Sequence, residues 1–412
     1  RSNRGDFQDL WRGVPSWAVR IRLNRAAAVA VRRGAPWVYR DALGGRDNPP
    51  LHPGDAVELS DETGAFLAHA YADPASAIAL RVTSRKKDER FSAALLGARV
   101  RAAIARRDGM FDEADTNAMR LCNGEGDGAP GVVVDRYAHV AVVRLDTPAL
   151  ARVVEAAADA IARELAARGV TSLALHRGRD EAKGGGSKIT ELRGSKPPDR
   201  VEVVERGVRM EVDLARGQKT GAFLDQREDR ALVRALARGR RRALNLFSYA
   251  GGFSIAAALG GAARVTSVDL AAAAHATAQR TFRLNEVDPG AHAFVAADAF
   301  TFLEKARAEG QRFDLVVSDP PSFAPNEKSR PRALAAYRKL HGACAAVLAE
   351  GGVFCASSCS SHVDAEAFLA TLDAEATGRG DLRVLDVRGN PPDHPTLPGW
   401  PEGRYLKFAV LG

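Results

Sequence analysis

Chemistry concentrates in a few short stretches of the second half of the chain. Asn245-Leu246-Phe247-Ser248-Tyr249-Ala250-Gly251-Gly252-Phe253-Ser254 reads as a strand entering a glycine pair and a helix leaving it. Glycine lets a backbone approach a ligand closely, and a helix start offers free N–H groups. Asp269 ends the next predicted strand, within reach of a ribose hydroxyl. A tight turn without a ligand would carry the same residues. The spacing is not GxGxxG, which disfavours the pyrophosphate of a dinucleotide. A cofactor with ribose and adenine but no phosphate at this turn fits better, and S-adenosylmethionine is the obvious candidate. Asp298 follows a further strand, where its carboxylate could accept the exocyclic amine of an adenine. It could equally cap the following helix, and the two roles are compatible.

Asp319-Pro320-Pro321-Ser322-Phe323 directly follows the apolar run at 315–318. An acid and two prolines there place a rigid polar lip at the carboxyl edge of a sheet, where open α/β folds bind their ligands. The last piece is Phe354-Cys355-Ala356-Ser357-Ser358-Cys359-Ser360-Ser361. Cys355 lies inside the predicted strand and reads as a small core residue. Cys359 falls at the strand's carboxyl end, on the same rim as Asp319 and the glycine turn, where a thiol can meet a substrate. An isolated cysteine is usually inert, so the weight rests on the shared rim.

The elements that must position these residues change character along the chain. Residues 16–90 read as a small β-rich unit, with a first strand at 18–23 and a hairpin around Asp61-Glu62-Thr63-Gly64. Residues 91–214 read as a linker helix (91–107) and an α+β module. This module has a hairpin turning at Arg136-Tyr137, a helix at 149–168, a strand at 172–176 and a hairpin through Glu205-Arg206-Gly207. Between them, residues 177–200 carry three consecutive glycines and many charges, the composition of an exposed loop. From 215 to 412 short apolar runs (243–247, 264–269, 293–297, 315–318, 352–357) alternate with helical stretches. That is the pattern of a doubly wound α/β sheet, closed by a last strand at 404–411.

With 46% hydrophobic and 27% charged residues the 412-residue chain is globular in composition. Its 59 Lys+Arg against 51 Asp+Glu leave a net charge of +8, which suits a nucleic-acid partner without demanding one. Aromatic residues are 6% of the chain, too few for a single-strand binder built on stacking platforms. The four cysteines show neither a disulfide framework nor CxxC metal spacing, so no metal site and a reducing, cytoplasmic setting are expected. Residues 1–19 are charged and lack the apolar core of a signal peptide, and no apolar run suggests a membrane span.

In order along the chain, several motifs resemble those of one family. They are Arg33-Gly34-Ala35-Pro36-Trp37-Val38, Asn123-Gly124-Glu125-Gly126-Asp127-Gly128-Ala129-Pro130-Gly131 and Gly217-Gln218-Lys219-Thr220-Gly221-Ala222-Phe223-Leu224-Asp225-Gln226-Arg227. The glycine turn, Asp319–Phe323, Ser358-Cys359-Ser360 and Pro401-Glu402-Gly403-Arg404-Tyr405-Leu406-Lys407 complete the set. The second half resembles class I S-adenosylmethionine-dependent methyltransferases. The whole chain from about residue 20 is similar to the bacterial large-subunit ribosomal RNA cytosine-5 methyltransferases that carry an N-terminal PUA domain. This resemblance implies a PUA-like RNA-binding domain, a central α+β module and a Rossmann-like catalytic domain.

It also implies that Cys359 is the nucleophile, that Asp319 serves both substrate and cofactor, and that Gln226 and Arg227 sit beside the cofactor. Large-subunit ribosomal RNA is the implied partner. Ser322-Phe323 stands where many RNA cytosine-5 methyltransferases have a second cysteine, so product release would need another base. Neither the oligomeric state, with a homodimer left open, nor the modified cytosine is specified. Three rivals remain at this level: an amino-group methyltransferase using Asp319 and Phe323, a non-catalytic RNA-binding protein, and, more distantly, a nicotinamide oxidoreductase.

Overall fold

The computed structural model describes residues 19–43, 48–176 and 188–412. The first unit is a five-stranded sheet. β1 (Val19–Arg22) leads into helix α1 (Arg25–Arg32), whose first turn is capped by Asn24 accepting from the Ala27 N–H. β2 (Trp37–Tyr39), β3 (Ala56–Ser60), β4 (Phe66–Ala72) and β5 (Ile78–Ser84) complete it in the order β1-β3-β4-β5-β2. The turn at Asp61–Gly64 joins β3 to β4 as its sequence predicts, with the Asp61 carboxylate accepting from Thr63 and Ala65 N–H groups. Ala18 and the other residues before β1 in this predicted unit lie outside the described residues.

The central unit opens with α2 (Ala93–Ala105) and a second five-stranded sheet. Its strands are β6 (Ala118–Asn123), β7 (Val132–Tyr137), β8 (Val140–Leu145), then, beyond α3 (Ala151–Ala166), β9 (Ser172–His176) and β10 (Ile189–Gly194), in the order β10-β9-β8-β7-β6. The two helices pack side by side over an apolar sheet face that includes Leu121, Val143 and Leu173. A separate ribbon, β11 (Arg200–Glu205) with β12 (Val208–Asp213), follows.

Two sequence expectations are corrected by the structure, and one strand had no counterpart among them. The β7–β8 turn falls at Ala138-His139, not Arg136-Tyr137, and Ala138 takes the left-handed φ of +51°. Tyr137 stays in the strand because its ring is buried and its hydroxyl meets Thr220 at 2.8 Å. The stretch at 188–200 is not all loop. Ile189–Gly194 pairs with β9, and Arg193 reaches back to Glu155 and Asp159 on α3, so charges that look like loop composition lie on an edge strand. The rest of that predicted loop, 177–187, lies outside the described residues. Finally, β6 is absent from the pattern read in sequence because Arg120 interrupts its apolar run. Arg120 is in fact buried, paired with Asp135 at 2.8 Å.

The third unit alternates helix and strand. α4 (Arg227–Leu236), β13 (Arg242–Leu246), α5 (Gly252–Leu259), β14 (Arg264–Asp269), α6 (Ala272–Leu284), β15 (Ala293–Ala296), α7 (Ala299–Ala308), β16 (Phe313–Ser318), α8 (Arg330–Ala346) and β17 (Leu348–Ser358) come first. β18 (Val384–Arg388) and β19 (Lys407–Leu411) end it. The order is β15-β14-β13-β16-β17-β19-β18, with the first five strands parallel and the last two antiparallel additions. The strand order reverses between β13 and β16, so a crevice opens there at the carboxyl edge. Buried apolar layers cover both faces of the sheet, one under α7 and α8, the other under α4 and α5.

Candidate active site

The carboxyl ends of β13, β14, β15, β16 and β17 bring the chemically suggestive residues to one cavity of about 490 Å³. Phe247, Ser248, Tyr249 and Gly252 line it from the turn after β13, and Asp269 and Leu270 from the end of β14. Asp298 lines it after β15, Asp319 to Ser322 after β16, and Cys359 after β17. Gln226 enters from the segment before α4. Of the remaining residues singled out in sequence, Ala250 and Gly251 shape the turn without lining the cavity. Arg227 does not reach it. Its guanidinium is fully buried against Asp393, 2.7 and 3.1 Å away, which corrects its expected place beside the cofactor. The reason lies in α4, where Gln226 and Arg227 point to different sides of the helix start.

The turn is tightly wound. Phe247 and Tyr249 adopt φ of +57° and +45°, conformations that cost side-chain-bearing residues energy and persist only where surroundings hold them. The Asp269 carboxylate accepts the Tyr249 and Ala271 N–H groups, each at 2.8 Å, clamping the turn to β14. Behind it Asn245, Ser254 and Ser267 form a buried hydrogen-bonded pin between β13, α5 and β14. Gly251 sits at φ +78°, and a Cβ there would come within 2.6 Å of the Ala278 Cβ on α6. Asp298 caps α7 by accepting the Thr301 N–H at 3.0 Å, and the residue also lines the cavity.

Opposite the turn, Gln226 donates its amide to Asp319 Oδ1 at 2.9 Å and Ser357 Oγ at 3.0 Å. Burial raises the Asp319 carboxyl to about 6, partly countered by hydrogen bonding from Ser357 and reinforced by the charge of Asp225. Asp225 is held ionised despite burial by Lys219, 2.7 Å away, and by the Tyr405 hydroxyl at 2.6 Å. Burial pushes the Cys359 thiol up, as do the carboxylates of Asp319 and Asp225. Lys219 and Lys407 pull it down. The other three cysteines are fully buried. Lys219, Asp225, Tyr405 and Lys407 were not singled out as site residues from sequence, although all lie within quoted motifs. Charged residues crowded among small ones, as in Gly217–Arg227, were the available signal.

The cavity suits a nucleoside-bearing sulfonium cofactor. Ser248 Oγ, Gln226 Oε1 and Asp225 Oδ1 are buried polar atoms around it with no hydrogen-bond partner among the described residues, and buried polar groups are normally satisfied. Leu270, 74% exposed, offers an apolar surface beside Asp269 at which a flat ring can pack.

Comparison with known proteins agrees with this geometry. Residues 142–403 match the S-adenosylmethionine-dependent methyltransferase family, and residues 21–85 match the PUA-like domain. A Deinococcus radiodurans protein named ribosomal RNA large subunit methyltransferase is 39% identical, covering 95% of this chain and 97% of its own. Ribosomal RNA large subunit methyltransferase I of Cronobacter sakazakii is 32% identical, covering 95% of this chain and 98% of its own. Among solved structures, SMU.776 complexed with SAH superposes with a TM-score of 0.84 at 25% identity, over 95% of this chain and 99% of its own. The fold, the cavity and these matches place the chain in the family of S-adenosylmethionine-dependent methyltransferases that carry a PUA-like N-terminal domain, and S-adenosylmethionine is its cofactor.

Proposed function

We propose that this protein methylates C5 of a cytosine in large-subunit ribosomal RNA through a covalent adduct between Cys359 and cytosine C6. The observation that carries the reading is the placement of Cys359: among the described residues it is the cysteine that lines the cavity, opposite the glycine turn and beside Asp319. The names of the 39% and 32% identical relatives support ribosomal RNA of the large subunit as substrate, and a cytoplasmic setting follows from that substrate.

The chemistry explains the need for a thiol. Cytosine C5 is a poor nucleophile. When bound, the cofactor supplies an electrophilic methyl group. The Cys359 thiolate adds to C6, the C5=C6 electron pair shifts onto the ring, and C5 becomes able to attack. Asp319, with its carboxyl raised to about 6, exchanges protons readily near neutrality. In its protonated form it donates to N3 as charge develops there, and Gln226 holds that carboxyl in place. A base then takes the C5 proton, the C5=C6 bond re-forms and the thiolate leaves. The target base must be unstacked to enter the cavity, a cost of a few kcal/mol that is smallest in loops. Phe323, which an amino-group methyltransferase would stack on its substrate, is instead packed against Tyr337 with ring centroids 4.9 Å apart, and it does not line the cavity.

The test uses methyl-labelled cofactor, ribosomal RNA and nucleoside identification after digestion. The expected product is 5-methylcytidine. Cys359→Ser is expected to abolish transfer while retaining cofactor binding, whereas Cys355→Ala keeps transfer because that side chain only packs. RNA carrying 5-fluorocytosine is expected to form a stable adduct on Cys359. Transfer at near the parent rate by Cys359→Ala, or an amino-methylated product, overturns the reading.

A further inference from the structure

Lys407 has no role in the steps above, yet it is 3% exposed and stands at the start of β19 beside the Cys359 turn. β19 runs antiparallel to β17, and Lys407 pairs directly with Ser358. Its Nζ donates to the carbonyls of Ser360 at 2.6 Å and Tyr405 at 2.7 Å. The ammonium therefore grips the backbone on the far side of Cys359. No carboxylate lies within ion-pair distance of it among the described residues. A buried ammonium without a counter-anion is costly unless one forms nearby.

The charges facing the thiol come from several elements. Asp319 after β16 and Asp225 before α4 oppose a thiolate there. Lys219 favours one, but Asp225 already answers its charge at 2.7 Å. The phenols of Tyr337 on α8 and Tyr405 also lie near enough for the thiol's charge to act on them. Tyr337 bonds Ser358 and Ser360, at 2.9 and 3.0 Å, and Tyr405 bonds Asp225. Asp364, whose charge also acts on Lys407, pairs with Arg330 at 3.2 Å. Lys407 is thus the buried cation beside Cys359 that a carboxylate leaves unneutralised.

We infer that Lys407 is a positioning residue that holds the Cys359 turn through the Ser360 carbonyl and supplies the positive charge that stabilises the Cys359 thiolate. The thiol proton departs to bulk solvent, and the ammonium–thiolate pair remains. Burial lowers the Lys407 amine to about 8, and the charge of Cys359 opposes that fall, as expected of a coupled pair. Thiolate reactivity is therefore supported while the amine stays protonated and loses that support as pH rises through this value.

This inference rests on the nucleophile assigned above, but its test does not need methyl transfer. The rate of Cys359 alkylation by iodoacetamide is measured from pH 5.5 to 10 in the full chain without RNA. Mass spectrometry assigns the modified peptide, and Cys359→Ser supplies the background. Lys407→Met is expected to alkylate about tenfold more slowly at pH 7 and at the parent rate near pH 10, a displacement of about one pH unit. Lys407→Arg, which keeps the charge, is expected to follow the parent profile. Cofactor affinity, read by calorimetry, reports that each variant is folded. A Lys407→Met profile that superimposes on the parent overturns the inference, as does a Lys407→Arg profile displaced as far as that of Lys407→Met. Retention of transfer by Cys359→Ser would instead overturn the covalent mechanism, whatever the alkylation profiles show.

Discussion

At the scale of single residues, the site is a set of ionisable groups whose surroundings drive them apart. Asp225 is kept ionised by Lys219 and Tyr405, Asp319 is raised to about 6, and Asp229 on α4, 2% exposed, is raised by burial to about 8. A carboxyl whose folded value exceeds its unfolded value binds a proton on folding. It costs nothing below the unfolded value of about 4, and its cost grows as pH rises from there toward the folded value, by about 1.4 kcal/mol per unit at most. Asp229→Asn, which mimics the protonated acid, is therefore expected to raise stability at pH 7 and to leave it nearly unchanged at pH 4. Urea unfolding at the two pH values checks this, and an equal effect at both would refute it. Cys359 and Asp319 were legible in sequence because each follows an apolar strand at its carboxyl end. Lys407 was not, since a lysine opening a strand looks solvated until the tertiary fold buries it.

At the scale of elements, the β13–α5 turn carries the most local strain. Two non-glycine residues are left-handed, Gly251 is left-handed as well, and Asp269 fastens the loop. Gly251→Ala must both hold φ near +78° and displace Ala278. A loss of about 1–3 kcal/mol of stability, with weaker cofactor binding, is expected and can be read by thermal unfolding with and without the cofactor. The parallel strands were legible because both their faces are buried and their apolar runs are nearly continuous. The edge strands were not. β10 hides among charges that pair with α3, and β18 exposes Val384, Leu385 and Val387 so that burial supplies no alternating pattern.

At the scale of the whole molecule, two of the recognisable motifs, Arg33–Val38 and Asn123–Gly131, join regions of the chain away from the cavity. Trp37 packs edge-on against Trp400 at 4.9 Å and donates to Glu125 at 2.7 Å, while Arg81 also pairs with Glu125. Three regions thereby meet: the first unit, the Asn123–Gly131 motif and the loop before β19. At Gly126, any Cβ would collide with the Pro395 carbonyl, 1.8 Å away. Deeper in, Asp393 accepts from the Arg227 guanidinium and the Arg120 N–H, and its carbonyl takes a hydrogen bond from Arg107. Asp393→Ala leaves the fully buried Arg227 with the partly exposed Glu228 carboxylate, 3.1 Å from its Nε, in place of the bidentate buried pair, so a loss of about 3 kcal/mol in denaturant unfolding is expected. The predicted RNA surface also belongs to this scale. The net charge of +8, the PUA-like unit and the Lys/Arg-bearing stretch 177–200, of which 177–187 lie outside the described residues, are expected to supply phosphate contacts. RNA affinity is expected to fall with salt by a log–log slope of about 0.7 per contact on single strands and 0.9 on duplex. A flat titration would remove the electrostatic basis of binding.

Local signals by themselves determined the parallel sheet, its carboxyl-edge residues, the glycine turn and the cysteine that could act. Each depends on period, turn chemistry or the place of a residue after an apolar run, and those are properties of neighbours in the chain. Only the tertiary structure decided which charged residues are buried and with whom. Arg227 turned from a cofactor neighbour into a partner of Asp393, 166 residues away, and Lys407 became the grip on the Cys359 turn. Burial converts an ordinary surface charge into a group that must find a partner, and the identity of that partner is set by elements distant in sequence.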